Sequence, residues 1–200
     1  MIVGAGGHGK VLADLAEKTG EYSRITFLDD VLVGSCAGYE ILGKCEDYLK
    51  FIEDYCFIVA IGNAEIRQRI QLQLEESNAQ IEILVHPNAV VSKNVIIGCG
   101  TVIVAGAIVN TDVQIGKGVI INTSSSVDHD CKIGDFAHIS VGTHLAGNVK
   151  IGANSMISAG SVVINNIEIC ENVVVGAGAV VIKNIEESGT YIGVPAKIKF

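Results

Sequence analysis

The sequence Asp128-His129-Asp130 holds the residues best suited to acid–base chemistry in this chain. A histidine titrates near neutral pH, and a carboxylate beside it can fix the imidazole tautomer and raise its basicity. Such a pair can remove a proton from an amine while the amine attacks an acyl carbon. We therefore predict that His129 is a general base supported by Asp130. The alternative is a solvated histidine between two charged neighbours.

A second chemical signal is the sequence GAGGHG at residues 4–9. It fits a GxGxxG pattern between a strand and a helix, where free backbone N–H groups and the helix dipole favour phosphate. Asp29 and Asp30 follow the second predicted strand, as an acid that binds ribose would. An NAD site is one interpretation, although this part of the chain is too small for a full dinucleotide fold. A tight turn with a purely structural role is another.

The residues that must position this loop alternate between strand-like and helix-like segments, which is typical of βαβ units. We predict a small Rossmann-like α/β domain with a parallel sheet over residues 1–84, its last strand at residues 81–85. The apolar faces predicted for its two helices are Val11, Leu12, Leu15 and Ala16 in the first, and Ile66, Ile70 and Leu74 in the second. Asn63 is the predicted N-cap of the second helix.

From Val85 onward the chain reads in groups of six residues. Each of the seventeen groups begins with Val, Ile or Leu, and its fifth residue is small or aliphatic. The fourth residue is Asn, Gly or Asp in all but two groups, and these types tolerate a positive φ. Two inward residues between successive corners describe three short strands per coil. We therefore predict an all-β triangular parallel β-helix over residues 85–200, with nearly six coils.

Composition narrows the class of protein. The chain has 200 residues, of which 49% are hydrophobic and 18% charged, so it can bury a sizeable core. A formal charge of −8 argues against nucleic acid and anionic membranes as partners. There is no apolar run of about 18 residues, so we predict no membrane span. The six cysteines lack zinc-finger spacing and no signal-like segment is recognised, which favours a cytoplasmic location.

Several motifs carry a resemblance to a known family. The groups IGCG at 97–100 and IGAN at 151–154, followed by GVPAK at 193–197, resemble the hexapeptide-repeat acyltransferases. Four further motifs narrow the resemblance to the PglD and NeuD type of bacterial sugar acetyltransferase over the whole chain: GAGGHG at 4–9, FLDD at 27–30, AIGN at 60–63 and NTSSSVDHD at 122–130.

This resemblance implies a fold, a reaction and an assembly. The fold is a Rossmann-like domain followed by a left-handed β-helix, and the active form is a homotrimer with acetyl-CoA as co-substrate between neighbouring helices. The PglD type implies N-acetylation of the 4-amino group of a UDP-linked amino-deoxy sugar in the biosynthesis of bacterial surface glycans or glycoproteins. The NeuD type implies a sugar O-acetyltransferase associated with sialic acid, and this is the alternative. No metal is expected.

The resemblance also implies roles for particular residues. His129 and Asp130 match the catalytic pair, His138 matches a second histidine that positions substrate near acetyl-CoA, and the N–H of Gly147 matches an oxyanion contact. The nucleotide-sugar residues are Gly6, Gly7, His8, Asp29, Asp30, Gly62 and Asn63. The further acetyl-CoA contacts are Ser158, Ala159, Ala177 and Lys197. His86 and His144 are expected to be structural or exposed.

Four other functions are alternatives to this one. Stacked hexads can form a scaffold without any activity. A zinc carbonic anhydrase on the same β-helix needs three histidines, but His138 and His144 have five residues between them, whereas that family has four. A nucleotide-sugar sensor would keep the glycine loop but would not need the pair His129 and Asp130. Serine acetyltransferases share the β-helix but usually have a helical N-terminal region.

Overall fold

The computed structural model describes residues 1–199, and its amino-terminal part is a five-stranded sheet with two helices. The strand order is β3-β4-β2-β1-β5, and all neighbours are parallel except the hairpin of β3 and β4. The elements in chain order are β1 (Ile2–Val3), α1 (Gly7–Thr19), β2 (Phe27–Leu28), β3 (Gly34–Cys36), β4 (Tyr39–Gly43), a 3-10 helix (Cys45–Lys50), β5 (Ile58–Val59) and α2 (Ala64–Glu76). The predicted parallel sheet is confirmed. The hairpin was not predicted, and positive φ angles at Ala37 and Gly38 form its turn.

The two helices use their predicted faces to different extents. In α1, Leu12, Leu15 and Ala16 are buried as predicted, whereas Val11 is exposed. In α2 the predicted face is wrong in part, because Ile66 is 39% exposed while Arg67 and Gln71 are buried. The reason is the surface that α2 meets, which is a row of backbone carbonyl groups at one edge of the β-helix. Asn63 caps α2 as predicted, since its Oδ1 accepts the N–H of Ile66 at 2.9 Å.

The rest of the chain is a left-handed β-helix with three parallel sheets, here called faces 1, 2 and 3. Face 1 consists of Leu84–Val85, Val102–Ile103, Ile120–Ile121, His138–Ile139, Met156–Ile157, Val173–Val175 and Gly189–Ile192, with Lys197–Ile198 antiparallel at its end. Face 2 consists of Val90–Val91, Ile108–Val109, Ser126–Val127, His144–Leu145, Val162–Val163 and Val180–Val181. Face 3 consists of Ile96–Ile97, Gln114–Ile115, Lys132–Ile133, Lys150–Ile151 and Glu168–Ile169.

The hexad pattern sets both the interior and the corners of this β-helix. The first aliphatic residue of each group points inward, and most of these residues form one buried ladder from Ile103 to Val181. The fourth residue has a positive φ at every corner from Gly100 to Gly178, including Ser124 and Phe136. Asn88, Asn94 and Asn184 hold the fourth place in their groups without a positive φ.

The two parts of the chain share a hydrophobic core. Leu12 and Leu15 of α1 pack in one buried cluster with Leu84, Val102 and Ile120 of face 1. The strand predicted at residues 81–85 starts beside the first sheet, where Ile81 forms a parallel bridge with Phe57, and ends on the second coil, where Leu84 pairs with Val102. The predicted boundary between residues 84 and 85 therefore falls within a strand of the β-helix. This packing fixes the glycine loop over the first coils.

Candidate active site

The turn at residues 128–130 lies on the edge between face 2 and face 3. Asp130 adopts a φ of 60°, and its Oδ2 lies 2.8 Å from His129 Nδ1. Asp128 Oδ1 accepts the N–H of His129 at 2.9 Å and an amide hydrogen of Asn110 at 2.7 Å. The side chain of His129 is 55% exposed. The imidazole therefore points away from the interior of the β-helix.

Two carboxylates give His129 the character of a base. The hydrogen bond that His129 donates to Asp130 raises the pKa of His129, and the charge of Asp128 raises it further. A carboxylate can only accept, so the proton of the neutral ring lies on Nδ1 and the lone pair on Nε2. Nε2 makes no hydrogen bond within residues 1–199. It can therefore take a proton from a group that approaches the edge.

Gly147 lies one coil after His129, and the two coils are joined by a 2.8 Å hydrogen bond from the N–H of Asn148 to the carbonyl of His129. A Cβ at Gly147 would lie 2.5 Å from His129 Nε2, so glycine keeps this side of the imidazole open. The N–H of Gly147 donates to no acceptor in the part of the chain that the structure describes. It is available to an oxygen that binds beside the imidazole.

His138 has the opposite environment on face 1. Its Nε2 lies 3.1 Å from Asn122 Nδ2, and its Nδ1 is buried without a partner in the described chain. Burial lowers the pKa of His138 to about 4, and the positive charge of Arg67 adds to this effect. Burial and Arg67 also lower the pKa of His8 to about 4, and Nε2 of His8 is likewise buried without a partner. Both imidazoles are therefore neutral at neutral pH.

The glycine loop has the geometry of an anion site. Gly4 has a φ of 106°, and a Cβ at Gly9 would lie 2.2 Å from the carbonyl oxygen of Gly4, so only glycine permits this close turn. Gly6 is the N-cap of α1 and offers no side-chain cap, which leaves the first N–H groups of a 13-residue helix open from Gly7 onward. The positive end of the helix dipole favours phosphate there.

The acidic residues beside this loop are held by backbone groups. Asp29 accepts the N–H of Ala5 at 2.6 Å and that of Leu32 at 2.7 Å. Partial burial acts to raise the pKa of Asp29, but the backbone donors outweigh it and the pKa is lowered. Asp30 accepts the N–H of Cys45 at 2.9 Å. The carboxylate of Asp29 thus orders the loop, and direct contact of either acid with a ligand stays a prediction.

The remaining predicted residues fall on two different edges. Ser158 and Ala159 lie in the turn between faces 1 and 2, and Ala177 lies one coil later, where the N–H of Gly178 donates to the carbonyl of Ala159 at 2.9 Å. Lys197 lies in the antiparallel strand at the end of face 1. His129 and Gly147 lie on the edge between faces 2 and 3. One chain therefore does not bring the predicted base and these predicted acetyl-CoA contacts together.

Two residues at the site were not singled out from the sequence. Asn122 contacts His138 and is the first residue of the motif at 122–130, so its place in that motif was a usable signal. Arg67 is 1% exposed and approaches His8 and His138 closely enough to lower both pKa values. No pattern in the sequence marks Arg67, because its partners are backbone carbonyl groups 51 and 69 residues away.

Two further classes of site were tested against residues 1–199. No three His, Cys, Asp or Glu side chains in this range are grouped as a metal ion would require. The two helices found in the same range are also too short and too polar to span a membrane.

Comparisons with known proteins identify related families and folds. Residues 1–74 match the PglD N-terminal domain, and residues 130–165 and 148–183 match the bacterial transferase hexapeptide (six repeats) family. UDP-N-acetylbacillosamine N-acetyltransferase of Bacillus subtilis (strain 168) is 37% identical over 108 residues, which are 52% of this chain and 50% of that protein. The chain matches about half the length of its curated relatives.

Two solved structures match almost the whole chain. The acetyltransferase domain of PglB from Neisseria gonorrhoeae FA1090, in complex with acetyl coenzyme A, is 41% identical with a TM-score of 0.96, and covers 99% of this chain and 97% of that one. PerB from Caulobacter crescentus, in complex with CoA and GDP-perosamine, is 34% identical with a TM-score of 0.95, and covers 100% of this chain and 96% of that one.

Proposed function

We propose that this chain, which belongs to the PglD-type family of hexapeptide-repeat acetyltransferases, transfers the acetyl group of acetyl-CoA to the 4-amino group of a UDP-linked amino-deoxy sugar. The product would serve the biosynthesis of bacterial surface glycans or glycoproteins. The names of the relatives support an amine as the acceptor, because they are N-acetyltransferases of nucleotide-linked sugars. Since acetyl-CoA and nucleotide sugars are cytoplasmic metabolites, we place the reaction in the cytoplasm.

The observation that carries this proposal is the exposed pair His129 and Asp130 beside the open N–H of Gly147. In the reaction, the amine nitrogen attacks the thioester carbon and forms the new C–N bond. His129 Nε2 takes the proton that the nitrogen loses, while the N–H of Gly147 donates to the oxyanion. The C–S bond then breaks, and the proton passes from His129 to the departing sulfur. Asp130 stabilises the imidazolium between these steps.

The acceptor would be held by the glycine loop. Gly6, Gly7 and His8 offer backbone and imidazole groups at the start of α1 for phosphate and ribose, with Gly62 and Asn63 at the start of α2. The unpartnered buried nitrogens of His8 and His138 support a ligand here, because a buried polar group without a partner costs about 1–3 kcal/mol. Bound substrate would supply the missing partners.

A homotrimer would complete the site, because the proposed base and the proposed acetyl-CoA contacts Ser158, Ala159, Ala177 and Lys197 lie on different edges of one chain. Face 2 supports contact with another copy through outward apolar residues, namely Val90 at 63%, Ile108 at 42% and Val162 at 36% exposure. Face 3 is polar in four of its five strands. Sedimentation equilibrium should therefore give three times the chain mass of 21.0 kDa, and a monomer that is fully active would contradict this assembly.

The reaction is tested with purified protein, acetyl-CoA and a panel of acceptors. The panel contains UDP-4-amino-4,6-dideoxy-N-acetylglucosamine, GDP-perosamine, the same UDP-sugar with a 4-hydroxyl group, and free sialic acid. A thiol reagent follows CoA release, and mass spectrometry identifies the acetylated product. We expect turnover with the UDP-linked amine, less with the GDP-linked amine, and none with either hydroxyl acceptor. Acetylation of sialic acid alone would support the O-acetyltransferase instead.

A further inference from the structure

Helix α2 meets the β-helix through charged and polar side chains rather than apolar ones. Arg67, Gln71 and Glu75 are four residues apart and therefore share one face of the helix. Gln71 donates to the carbonyl of Cys99 at 3.1 Å, and Glu75 pairs with Lys117 at 2.8 Å. A helix usually presents its apolar stripe to its neighbour. The polar stripe here indicates that α2 is held by specific hydrogen bonds.

Arg67 makes four of these hydrogen bonds, all to backbone carbonyl groups. Nη1 donates to the carbonyl of Ile61 at 2.8 Å and to that of Gly62 at 2.9 Å. Nε donates to the carbonyl of Gly118 at 2.8 Å, and Nη2 donates to that of Phe136 at 2.5 Å. The guanidinium thus joins the loop that precedes α2 to two successive coils of the β-helix.

This guanidinium is charged although it lies in the interior. Arg67 is 1% exposed, and no carboxylate of residues 1–199 lies within salt-bridge distance of it. Burial lowers its pKa to about 10, which still leaves it protonated at neutral pH. A buried charge is costly unless polar groups surround it, and the four carbonyl dipoles do so here. Because burying this charge is costly, its presence indicates a role that an apolar residue could not fill.

The corner residues of the β-helix are shaped for this contact. Gly100 and Gly118 lie on the edge between faces 3 and 1, directly below α2. A Cβ at Gly100 would lie 2.1 Å from Gln71 Oε1, and one at Gly118 would lie 2.4 Å from the ring of Phe136. The later corners on the same edge are Phe136, Asn154 and Asn172. Glycine at these two corners lets the helix approach the backbone closely enough for Arg67 to reach it.

We propose that Arg67 is a positioning residue, which holds the acceptor loop at residues 61–63 in a fixed relation to the coil that carries His138. The inference rests on the proposed function, since that function gives both segments their ligands. Gly62 and Asn63 would contact the nucleotide, and Phe136 is two residues before His138. Arg67 binds both the loop at residues 61–63 and the coil that carries His138, so it fixes the distance between them. That distance determines where the sugar amine lies when the nucleotide is bound.

Kinetics of Arg67→Gln, with Glu75→Gln as a control from the same interface, test this role. We expect Arg67→Gln to raise KM for the nucleotide sugar about tenfold or more, while KM for acetyl-CoA changes by about twofold or less. Glu75→Gln should change neither constant, since Glu75 does not touch the acceptor loop. Arg67→Lys keeps the charge and should recover part of the affinity for the acceptor. Equal changes in both KM values, or a loss of stability with unchanged KM, would overturn the proposal.

A histidine titration by NMR tests the same contact without any activity. His138 faces Arg67 of α2 and His8 of α1, and His8 faces Arg67. In the wild type both histidines should remain neutral down to about pH 4. In Arg67→Gln both titrations should move up by part of the difference to the ordinary histidine value, because burial is the larger cause of the low pKa values and remains. In Arg67→Lys and Glu75→Gln the titrations should stay low. If Arg67→Gln does not fold, the KM of Arg67→Lys carries the test: lysine cannot reproduce the four hydrogen bonds of the guanidinium, so KM for the nucleotide sugar should rise, and an unchanged KM would overturn the proposal.

The two measurements separate the positioning role from the proposed function. A wild type that acetylates none of the acceptors, but whose histidines follow the expected titrations, would refute the function and keep the structural contact of Arg67. A wild type that turns over the nucleotide sugar, while Arg67→Gln binds it normally, would keep the function and refute the positioning role.

Discussion

The chain contains two groups of histidines with opposite surroundings. His129 lies on an exposed edge of the β-helix, where its hydrogen bond to Asp130 and the charge of Asp128 raise its pKa. His8 and His138 lie at the boundary between the two parts of the chain, where burial and Arg67 lower their pKa values to about 4. The first environment favours proton uptake and the second opposes it. The same side chain is therefore suited to a base in one place and to a neutral hydrogen-bonding partner in the other.

The difference also reflects how each environment is built. The exposed edge depends on three consecutive residues and on Gly147 one coil away, and the hexad repeat sets this distance. The boundary depends on side chains from α1, α2 and face 1, which are brought together only by tertiary packing. Changes at the exposed edge should therefore affect chemistry alone, whereas changes at the boundary should affect both stability and binding.

The largest effect is expected from His129→Ala. Loss of a general base reduces kcat/KM by about 10²–10⁴-fold. The free energy of unfolding should change by less than about 0.5 kcal/mol, because the side chain is exposed and its hydrogen-bond partner Asp130 is exposed as well. Steady-state kinetics with the UDP-linked amine, together with urea unfolding, measure both quantities.

The matched control is His144→Ala, an exposed histidine of face 2 whose Nδ1 bonds to Ser126 Oγ at 2.8 Å. It should keep its activity within a few-fold of the wild type. If His129→Ala retains the wild-type rate, His129 is not the general base, and the difference between the two groups of histidines does not bear on catalysis.

The next effect concerns stability at acidic pH and belongs to the buried boundary. The folded pKa of about 4 for His8 and His138 lies below the ordinary 6.5, so between these values the unfolded chain binds protons that the native protein does not. Stability should therefore fall as the pH is lowered from about 6.5 to 4, by on the order of 3 kcal/mol for each imidazole. Chemical denaturation at a series of pH values measures this slope.

The double variant His8→Gln/His138→Gln separates this effect from that of the carboxylates. Asp29 and Glu75 have lowered pKa values and lose their contribution only below their ordinary values of 3.8 and 4.5. The double variant should therefore flatten the slope above about pH 4.5 and leave the slope below it. An unchanged slope in the upper range would show that the two imidazoles titrate normally.

The sequence predicted the exposed edge better than the boundary, for a physical reason. In the β-helix each residue's direction and neighbour follow from its place in a six-residue repeat, so the outward position of His129 and its pairing with Gly147 could be read directly. Gly147 is also the only glycine at the third place of any hexad, which is a signal in itself. The six-residue repeat thus allowed the positions of these site residues to be predicted from the sequence.

The boundary could not be predicted in this way. Amphipathic spacing predicted that α2 buries Ile66 and Ile70, but the helix turns Arg67 and Gln71 inward because its neighbour offers carbonyl groups. Every residue has a backbone carbonyl group, so the residue types do not show which carbonyl groups accept a hydrogen bond. In the sequence, a buried arginine with only carbonyl partners therefore looks like a surface arginine. The hairpin of β3 and β4 was missed because its residues are largely exposed and show no strand-like alternation.

A smaller effect is expected from Gly147→Ala. The added Cβ would lie 2.5 Å from His129 Nε2, so the imidazole must shift from its position beside the open N–H. We expect kcat to fall by about 10–100-fold. This is less than the loss of about 10²–10³-fold that removal of an oxyanion donor can cause, because alanine keeps the backbone N–H. Stability should change little, because the φ of Gly147 is not positive. Asn165→Ala, at the same place one coil later, should leave kcat unchanged. Equal kinetics for Gly147→Ala and the wild type would remove this glycine from the reaction.

The smallest effect is expected from Asp130→Asn, and it addresses the cause of the raised pKa of His129. Asparagine tolerates the φ of 60° at this corner and can still accept from Nδ1, so the fold and the ring orientation should persist. Removing the carboxylate charge should lower the pKa of His129. A base must be unprotonated to act, so the acid limb of the profile of kcat/KM against pH should move to lower pH, while the maximal rate falls by about 3–10-fold.

Asp112→Asn is the matched control for this change, since Asp112 occupies the same corner one coil earlier with the same φ of 60°. Its profile should coincide with that of the wild type. If Asp130→Asn leaves the acid limb in place, the limb reports a group other than His129, and the carboxylate acts only by orienting the ring. If the limb moves while the acid-dependent stability is unchanged, the exposed edge and the buried boundary titrate independently, because their charges are set by different neighbours.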